Sequence, residues 1–294
     1  MRHLLPIVSL RRLTPALALP VVLAGGAAHA ACPSAAAMDA FARDWTAKTP
    51  ARAVVAGGSL EDAYCAQGML VERITPGLGR VVGYKAGLTS KPLQDRFKVS
   101  GPVLGQLLSG MLVEDGATIP AAFGARPLYE ADLLLVVGDE GINQAASPEE
   151  AVRHIAAVRP FIELPDLMYA EGEPMDGVAL TAANVGARLG VVGAELPLET
   201  IPNPVQTLAG MTVAVSDADG ATLAEGKGSA VLGNPLAVAV WVARTLAESG
   251  RRLRPGDLIS VGSFTPLTPP KPGQTVTARY VGLPGDPKVT VTFR

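Results

Sequence analysis

Two carboxylates stand two residues apart in the apolar stretch LYEADLLLVVGD, residues 128–139: Glu130 and Asp132. Alternate residues of a β-strand share a face, so the pair projects to one side with about 7 Å between backbone positions. Leu134 and Val136 continue that face, while Ala131, Leu133 and Leu135 make the other side apolar as well. Like charges side by side in an apolar sheet are costly unless a cation or fixed donors neutralise them. The alternative is a strand whose first half emerges into solvent. A third acid, Glu163 in PFIELPDL, sits inside a second apolar run. Three buried carboxylates without a nearby histidine form the ligand set of a hard divalent ion, Mg²⁺ or Mn²⁺, with water or substrate completing the shell. Lys85, inside the apolar VVGYKAGLTS, needs an anion, either a core acid or a substrate carboxylate.

Other chemistries are poorly supplied. His3 and His29 fall in the N-terminal thirty residues, and His154 in the polar SPEEAVRHIAAV reads as a surface residue, which argues against Ser-His-Asp hydrolysis. Residues 1–30 have the layout of an export signal: Arg2, Arg11 and Arg12, an apolar stretch from Leu13 to Ala24, and Ala28-His29-Ala30 as a cleavage site near Ala30. A periplasmic protein is expected, without a stable membrane span after cleavage, because the apolar stretch is short and broken by Pro15 and Pro20. Cleavage removes three arginines and no acids, leaving 22 basic against 27 acidic residues and a formal net charge of −5. That balance gives no footprint for nucleic acid. Cys32 and Cys65 survive cleavage and can pair in an oxidising compartment or remain inert thiols. Neither lies in a Cys/His cluster, so a zinc site is not expected.

The positioning elements follow from periodicity. Met38, Phe41, Ala42 and Trp45 recur at helical spacing behind Ser34, and SLED at Ser59 approximates a capping box for a second helix to about Arg73. From Val81 the chain reads mainly as short strands: VVGYKAG, LYEADLLLVV, PFIEL, ARLGVVG, MTVAVSD, TLAEGKGSA, DLISVGS, TVTARYVG and KVTVTF. The runs around DADG within 211–229 read as a hairpin. One helix is expected after Ser147-Pro148, and a buried one from Pro235 to Glu248, apolar nearly all round. Strands without a βαβ rhythm predict an α+β protein, a mixed β-roll or sandwich with a few covering helices. The expected organisation is a signal over 1–30, a small helical N-terminal appendage over 31–78 and a β-roll catalytic domain over 79–294.

Taken in order, VVGYKAGLTS, LYEADLLLVV, VRPFIELPDL, TAANVGARLG, the block from Leu232 to Gly262 and VTARYVGLPGDPKVTVTF resemble the 2-keto-4-pentenoate hydratase branch of the fumarylacetoacetate hydrolase family. The resemblance implies metal ligation by Glu130, Asp132 and Glu163, with Asp132 replacing a more common glutamate. It implies that Lys85 is catalytic and meets the substrate's carboxylate or enolate oxygen, that Thr89, Asn184 and Ser263 face the substrate, and that subunits form a homo-oligomer. The implied activity is hydration of a small 2-oxo acid or its enol, such as 2-hydroxypenta-2,4-dienoate, by a Mg²⁺- or Mn²⁺-dependent lyase. A decarboxylase or C–C hydrolase of the same family, or a non-catalytic oxo-acid-binding protein, are the alternatives. The chain departs from the branch at Val103, Ala183 and Asn234, where groups able to move a proton or hold water are usual.

Overall fold

The computed structural model describes Met1 and residues 32–294. The expected export signal, apart from Met1, lies outside the described residues. Two helices come first. In α1 (Ala35–Ala47) the Ser34 side chain accepts from the Ala37 N–H, and Met38, Phe41, Ala42 and Trp45 are buried. In α2 (Leu60–Leu78) Ser59 and Asp62 form a reciprocal capping box. This helix passes the expected end at Arg73, carried by burial of Ile74, and holds Pro76 in its final turn.

The chain then runs through β1 (Val81–Gly87), α3 (Lys91–Arg96), β2 (Val103–Leu108), β3 (Leu112–Glu114), β4 (Thr118–Ile119) and β5 (Glu130–Val137). Next come α4 (Pro148–Ala151), β6 (Ile155–Leu164), α5 (Gly177–Ala182), β7 (Leu189–Val192), β8 (Leu196–Pro197) and α6 (Pro204–Gly210). The last elements are β9 (Thr212–Ser216), β10 (Thr222–Lys227), α7 (Pro235–Glu248), β11 (Leu258–Ser260), β12 (Thr275–Val281) and β13 (Lys288–Phe293). An eight-stranded sheet has the order β2-β1-β11-β5-β6-β7-β3, with β8 beside β6, and a five-stranded sheet has the order β10-β9-β12-β13-β4. Parallel pairs (β1 with β11, β3 with β7, β4 with β13) sit among antiparallel ones. This is the α+β mixed β-roll expected from the strand rhythm, and the hairpin β9–β10 forms around DADG.

The main apolar core joins both sheets and α7, whose Leu236, Val238, Ala239, Val242 and Leu246 are buried. Gly228–Glu248 is the one helix among the described residues long and apolar enough to cross a membrane, and half of it is buried inside the fold. The helix expected after Ser147-Pro148 forms, with Ser147 as its cap and Pro148 in its first turn, but it is short. The helix after Ser147-Pro148 stops at Ala151, and Ile155 already enters β6, which pairs with β5 from Val137 to Glu130. Cross-strand pairing overrides the polar helical pattern, because a strand's preference is set by its partners more than by its own residues.

The two N-terminal helices share a core with α5, Leu108, Met111 and Tyr169. The Gln67 amide donates to the Leu104 and Thr181 carbonyls at 2.8 and 3.0 Å, joining α2 to β2 and α5. Arg188 lies over the Trp45 ring at 3.9 Å and donates to the Trp45 and Phe123 carbonyls, joining α1 to the large sheet. Cys32 and Cys65 are bonded to each other, with Cα atoms 5.5 Å apart, so the segment before α1 is fastened to α2. Reducing this bond should lower the unfolding free energy by roughly 3–4 kcal/mol in the chain-entropy model, read as a lower urea midpoint with dithiothreitol. An unchanged midpoint would show that the cross-link contributes no stability.

Candidate metal centre and cleft

Strand register decides which side chains meet. Glu130 on β5 pairs with Glu163 on β6, Lys85 on β1 pairs with Ser260 on β11, and Ser260 pairs with Leu134 on β5. Cross-strand partners share a face, so Lys85, Glu130, Asp132, Glu163 and Ser260 project from the same side of the large sheet. The relative exposures of Lys85, Glu130, Asp132 and Glu163 are 4, 7, 0 and 1%. The first half of β5 therefore does not emerge into solvent.

Each charge has an answer. Lys85 Nζ forms an ion pair with Glu163 Oε1 and donates to the Val185 carbonyl at 2.9 Å. Asp132 Oδ2 accepts from the Ser260 hydroxyl, and Oδ1 accepts from the Gly262 N–H at 3.0 Å and the Leu133 N–H at 2.5 Å. Ser263 Oγ donates to the Thr265 carbonyl and stands within reach of Glu130. Burial, followed by the charge of Glu163, holds the Glu130 carboxyl well above the usual carboxylate range. Burial, again followed by Glu163, pushes Asp132 up to about 7, against the opposing effect of its Ser260 and Leu133 donors.

The residues fit a hard divalent ion in donor chemistry. All three acids offer oxygen, and Glu163 Oε2 is a buried oxygen with no hydrogen-bond partner among the described residues. That orphan is what a cation would satisfy. Among the described residues the acids do not close into a finished metal shell. The reason is visible in the bonds above: Asp132 is held by β11 donors and one oxygen of Glu163 by Lys85.

Strain and close packing hold these groups. Asn184 and Val185, just after α5, both have positive φ, 54° and 55°. Such a conformation costs of order 1–3 kcal/mol at each non-glycine residue. The Asn184 side chain maintains it by bonding the Gln106 N–H and carbonyl, both at 2.8 Å, and the Val185 carbonyl is thereby presented to Lys85. Gly105 makes room opposite: a Cβ there would lie 2.8 Å from Lys85 Cγ and 2.9 Å from the Asn184 carbonyl oxygen. Gly262 has φ +98°, and a Cβ would lie 2.6 Å from Thr89 Oγ1, so only glycine brings its N–H to Asp132. From the smaller sheet, the buried Tyr280 hydroxyl accepts from the Phe161 N–H at 3.0 Å and bonds the Asp132 carbonyl, bridging β5 to β6 beside Pro160, which has no N–H to offer.

In front of the acids opens a narrow cleft of about 50 Å³ bordered by Lys85, Glu130 and Ser263, with the mostly apolar lining and few polar groups usual for small-molecule sites. Its walls include Leu88, Phe97, Leu167, Leu180, Val185 and Leu267. Asp132 and Glu163 do not border it. Thr89 and Asn184, expected on the ligand, do not border it either: Thr89 packs on Gly262 and the Asn184 amide is committed to Gln106. Val103 is fully buried in the apolar cluster behind the walls, Ala183 packs with the N-terminal helices, and Asn234 caps α7 through the Leu236 N–H. His154 pairs with Asp139 at 2.8 Å, away from the cleft. Sequence reasoning did not single out Ser260, Gly262, Tyr280 or Asp166. The buried Asp166 carboxylate accepts from the Ala125, Arg126 and Met168 N–H groups and so shapes the Pro165–Leu167 wall. A carboxylate in LPDL directly after a strand was the available signal.

Residues 84–291 match the family model described as fumarylacetoacetate (FAA) hydrolase C-terminal. The chain is 30% identical over 226 residues to a 2-keto-4-pentenoate hydratase of Paraburkholderia xenovorans (strain LB400), covering 76% of this chain and 81% of the relative. It is 28% identical over 223 residues to a 4-oxalocrotonate decarboxylase of Pseudomonas putida, covering 76% and 82%. Among solved structures, 4-oxalocrotonate decarboxylase from Pseudomonas putida G7, complexed with magnesium and adipate, superposes with a TM-score of 0.79 at 26% identity, covering 88% of this chain and 97% of that one. The chain belongs to the fumarylacetoacetate hydrolase family.

The raised Asp132 has a measurable consequence. Between its ordinary value near ~4 and about 7, the folded metal-free protein binds this proton more tightly than the unfolded chain does. Stability is therefore fully favoured at the low end and declines as pH rises through that window. In EDTA the thermal midpoint should fall from pH 5 to 7.5, and Asp132→Asn should flatten part of the decline. An equally steep fall in the variant would place its source elsewhere.

Proposed function

We propose that this chain is a divalent-metal-dependent hydro-lyase that adds water to the enol form of a small 2-oxo acid, with 2-hydroxypenta-2,4-dienoate as the model substrate. The observation that carries the reading is a single buried sheet face bearing three carboxylates and one lysine, of which Glu130 and Lys85 open onto an otherwise apolar cleft. The hydratase relatives support the same chemistry. Glu130, Asp132 and Glu163 would hold a Mg²⁺ or Mn²⁺ ion, which when bound would supply Lewis-acid polarisation of the substrate's oxygens.

The protein's own groups do the rest. Lys85 has three N–H groups; one meets Glu163 and one the Val185 carbonyl, leaving a third for the substrate's carboxylate or enolate oxygen. Its positive charge sits where negative charge develops, in surroundings of low dielectric where that attraction is strong. Val185 holds the ammonium in place and the leucine walls keep bulk water from the conjugated chain. The net reaction takes up one water: C4 gains a hydroxyl and C5 a proton, while the proton lost from the 2-hydroxyl is matched by one gained at C3 as the dienol becomes a 4-hydroxy-2-oxo acid. Lys85 and Glu130 are the titratable side chains bordering the cleft among the described residues, so proton handling by side chains falls to these two.

The reading extends to a periplasmic, homo-oligomeric enzyme. The export-like N-terminus supports the location, as does the Cys32–Cys65 bond, since such bonds persist in oxidising compartments. The oligomer is the family expectation and is measured by light scattering. Calorimetric titration with oxalate should show binding in Mg²⁺ and none in EDTA, and Glu130→Gln should weaken the Mg²⁺-dependent binding at least about tenfold. The wild type should consume the dienol, followed by loss of its ultraviolet absorbance. Oxalate binding that ignores Mg²⁺, or no binding at all, would sink the metal–oxo-acid assignment.

A further inference from the structure

Gln67 is the polar residue in the buried stripe of α2. The rest of that stripe is Ala63, Ala66, Leu70, Val71 and Ile74, and Gln67 itself is only 2% exposed. A side-chain amide has two N–H donors. Both are spent on backbone carbonyls of different elements, Leu104 in β2 at 2.8 Å and Thr181 in α5 at 3.0 Å. Each of these carbonyls lies where its own element runs short of donors. β2 is an edge strand, so its outer backbone groups have no neighbouring strand to meet. Thr181 lies in the last turn of α5, where carbonyls lose their helical partners. Side chains take over along the edge of β2. The Leu104 N–H donates to the Tyr64 hydroxyl at 3.0 Å, and the Gln106 N–H and carbonyl meet the Asn184 side chain. Thus α2 and the Asn184–Val185 turn hold successive outer positions of one strand, and Gln67 reaches from that strand to the helix that leads into the turn.

The stem of Lys85 packs where β2 and the turn come together. At Gly105, next to Leu104, a Cβ would stand 2.8 Å from Lys85 Cγ, 2.9 Å from the Asn184 carbonyl oxygen and 3.2 Å from Val185 Cβ. Any movement of α5 relative to β2 is therefore passed to the lysine, whose ammonium donates to the Val185 carbonyl at 2.9 Å. We propose that Gln67, in the N-terminal helical appendage, is a positioning residue for Lys85: it fixes α5 against β2 and, through the Asn184–Val185 turn, holds the carbonyl that aims the ammonium. The inference rests on the hydratase reading above and adds which residue outside the β-roll keeps its lysine in place. Packing alone would be served here by an apolar side chain, as elsewhere on the stripe. Without the amide, two buried carbonyls lose their shared donor, and α5 must move off β2 for water to reach them. A displacement of about 1 Å at a reacting group can cost on the order of a hundredfold in rate.

The test uses the mature, disulfide-bonded protein and Gln67→Met, which keeps volume and helical preference but removes both donors. The first readout needs neither metal nor turnover. It is the Lys85 ammonium resonance in a ¹H–¹⁵N spectrum, identified by its loss in the charge-keeping Lys85→Arg, and it should shift or vanish in Gln67→Met. The second is kinetic: with Mg²⁺ and the dienol, kcat should fall at least about tenfold while KM stays within about threefold, as when a group acting in the transition state is displaced. Tyr64→Phe frees the Leu104 N–H but leaves α5 tied, so it should keep the resonance in place and kcat within about twofold. An unmoved Lys85 resonance or an unchanged kcat in folded Gln67→Met would overturn the positioning role and leave the hydratase reading intact. An equal loss in Tyr64→Phe would overturn it too, as a general loosening of α2. A wild type that turns over no dienol would instead overturn the hydratase reading, and the spectrum alone would then decide whether Gln67 places the lysine. Should circular dichroism show that Gln67→Met does not fold, Gln67→Asn repeats both readouts, because its shorter arm keeps an amide but cannot serve both carbonyls.

Discussion

The ion pair between Lys85 and Glu163 is the interaction on which the rest of this site depends. Two opposite charges are withdrawn from water into a sheet flanked by apolar residues, where desolvation costs several kcal/mol per ion and only close pairing offsets it. Removing either partner would leave the other as an uncompensated buried charge. Much of the surrounding framework serves that pairing. Gly105 leaves room for the lysine stem, and the left-handed turn at Asn184–Val185 delivers a carbonyl to its ammonium. One glutamate oxygen is thereby left without a donor among the described residues, and a cation is the natural complement to such an oxygen.

Asp132 is held differently from its two acidic neighbours. Ser260 and the Gly262 and Leu133 N–H groups engage both of its oxygens, and the Tyr280 hydroxyl takes its backbone carbonyl. The shorter arm of aspartate keeps the carboxylate close to β11, whereas Glu130 extends to the cleft. The Asp132 carboxylate thus fastens β5 to β11, while its backbone carbonyl meets the smaller sheet at Tyr280. Its elevated proton affinity follows from the same burial that makes it rigid.

The cleft divides labour between a charged base and an inert wall. Charge is concentrated at Lys85, Glu130 and Glu163, while the segments after β1 and β6, together with α5, contribute mainly apolar walls. Val103 belongs to that inert part. Its place in the apolar cluster explains how the chain can lack an acid there without leaving a polar vacancy: the neighbouring Leu88, Phe97 and Leu180 fill the surroundings with hydrocarbon.

Much of this was legible from residue order, because local periodicity acts before any partner is chosen. A strand's period of two put Glu130 and Asp132 on one side of β5, helical spacing at Met38, Phe41 and Trp45 marked the buried stripe of α1, and Ser59 with Asp62 announced the start of α2. The run of short strands marked a mixed β-roll, and the acids with Lys85 marked its buried charged cluster. Only tertiary structure decided how those pieces meet. Register across β1, β11, β5 and β6 brought residues up to 78 positions apart into one ion pair, extended β6 through a segment with a helical pattern, and turned Asn184 inward to Gln106 rather than toward a ligand. The physical reason is that a side chain's face is a property of its own backbone, whereas its partner depends on which strands pair and where the turns between them close.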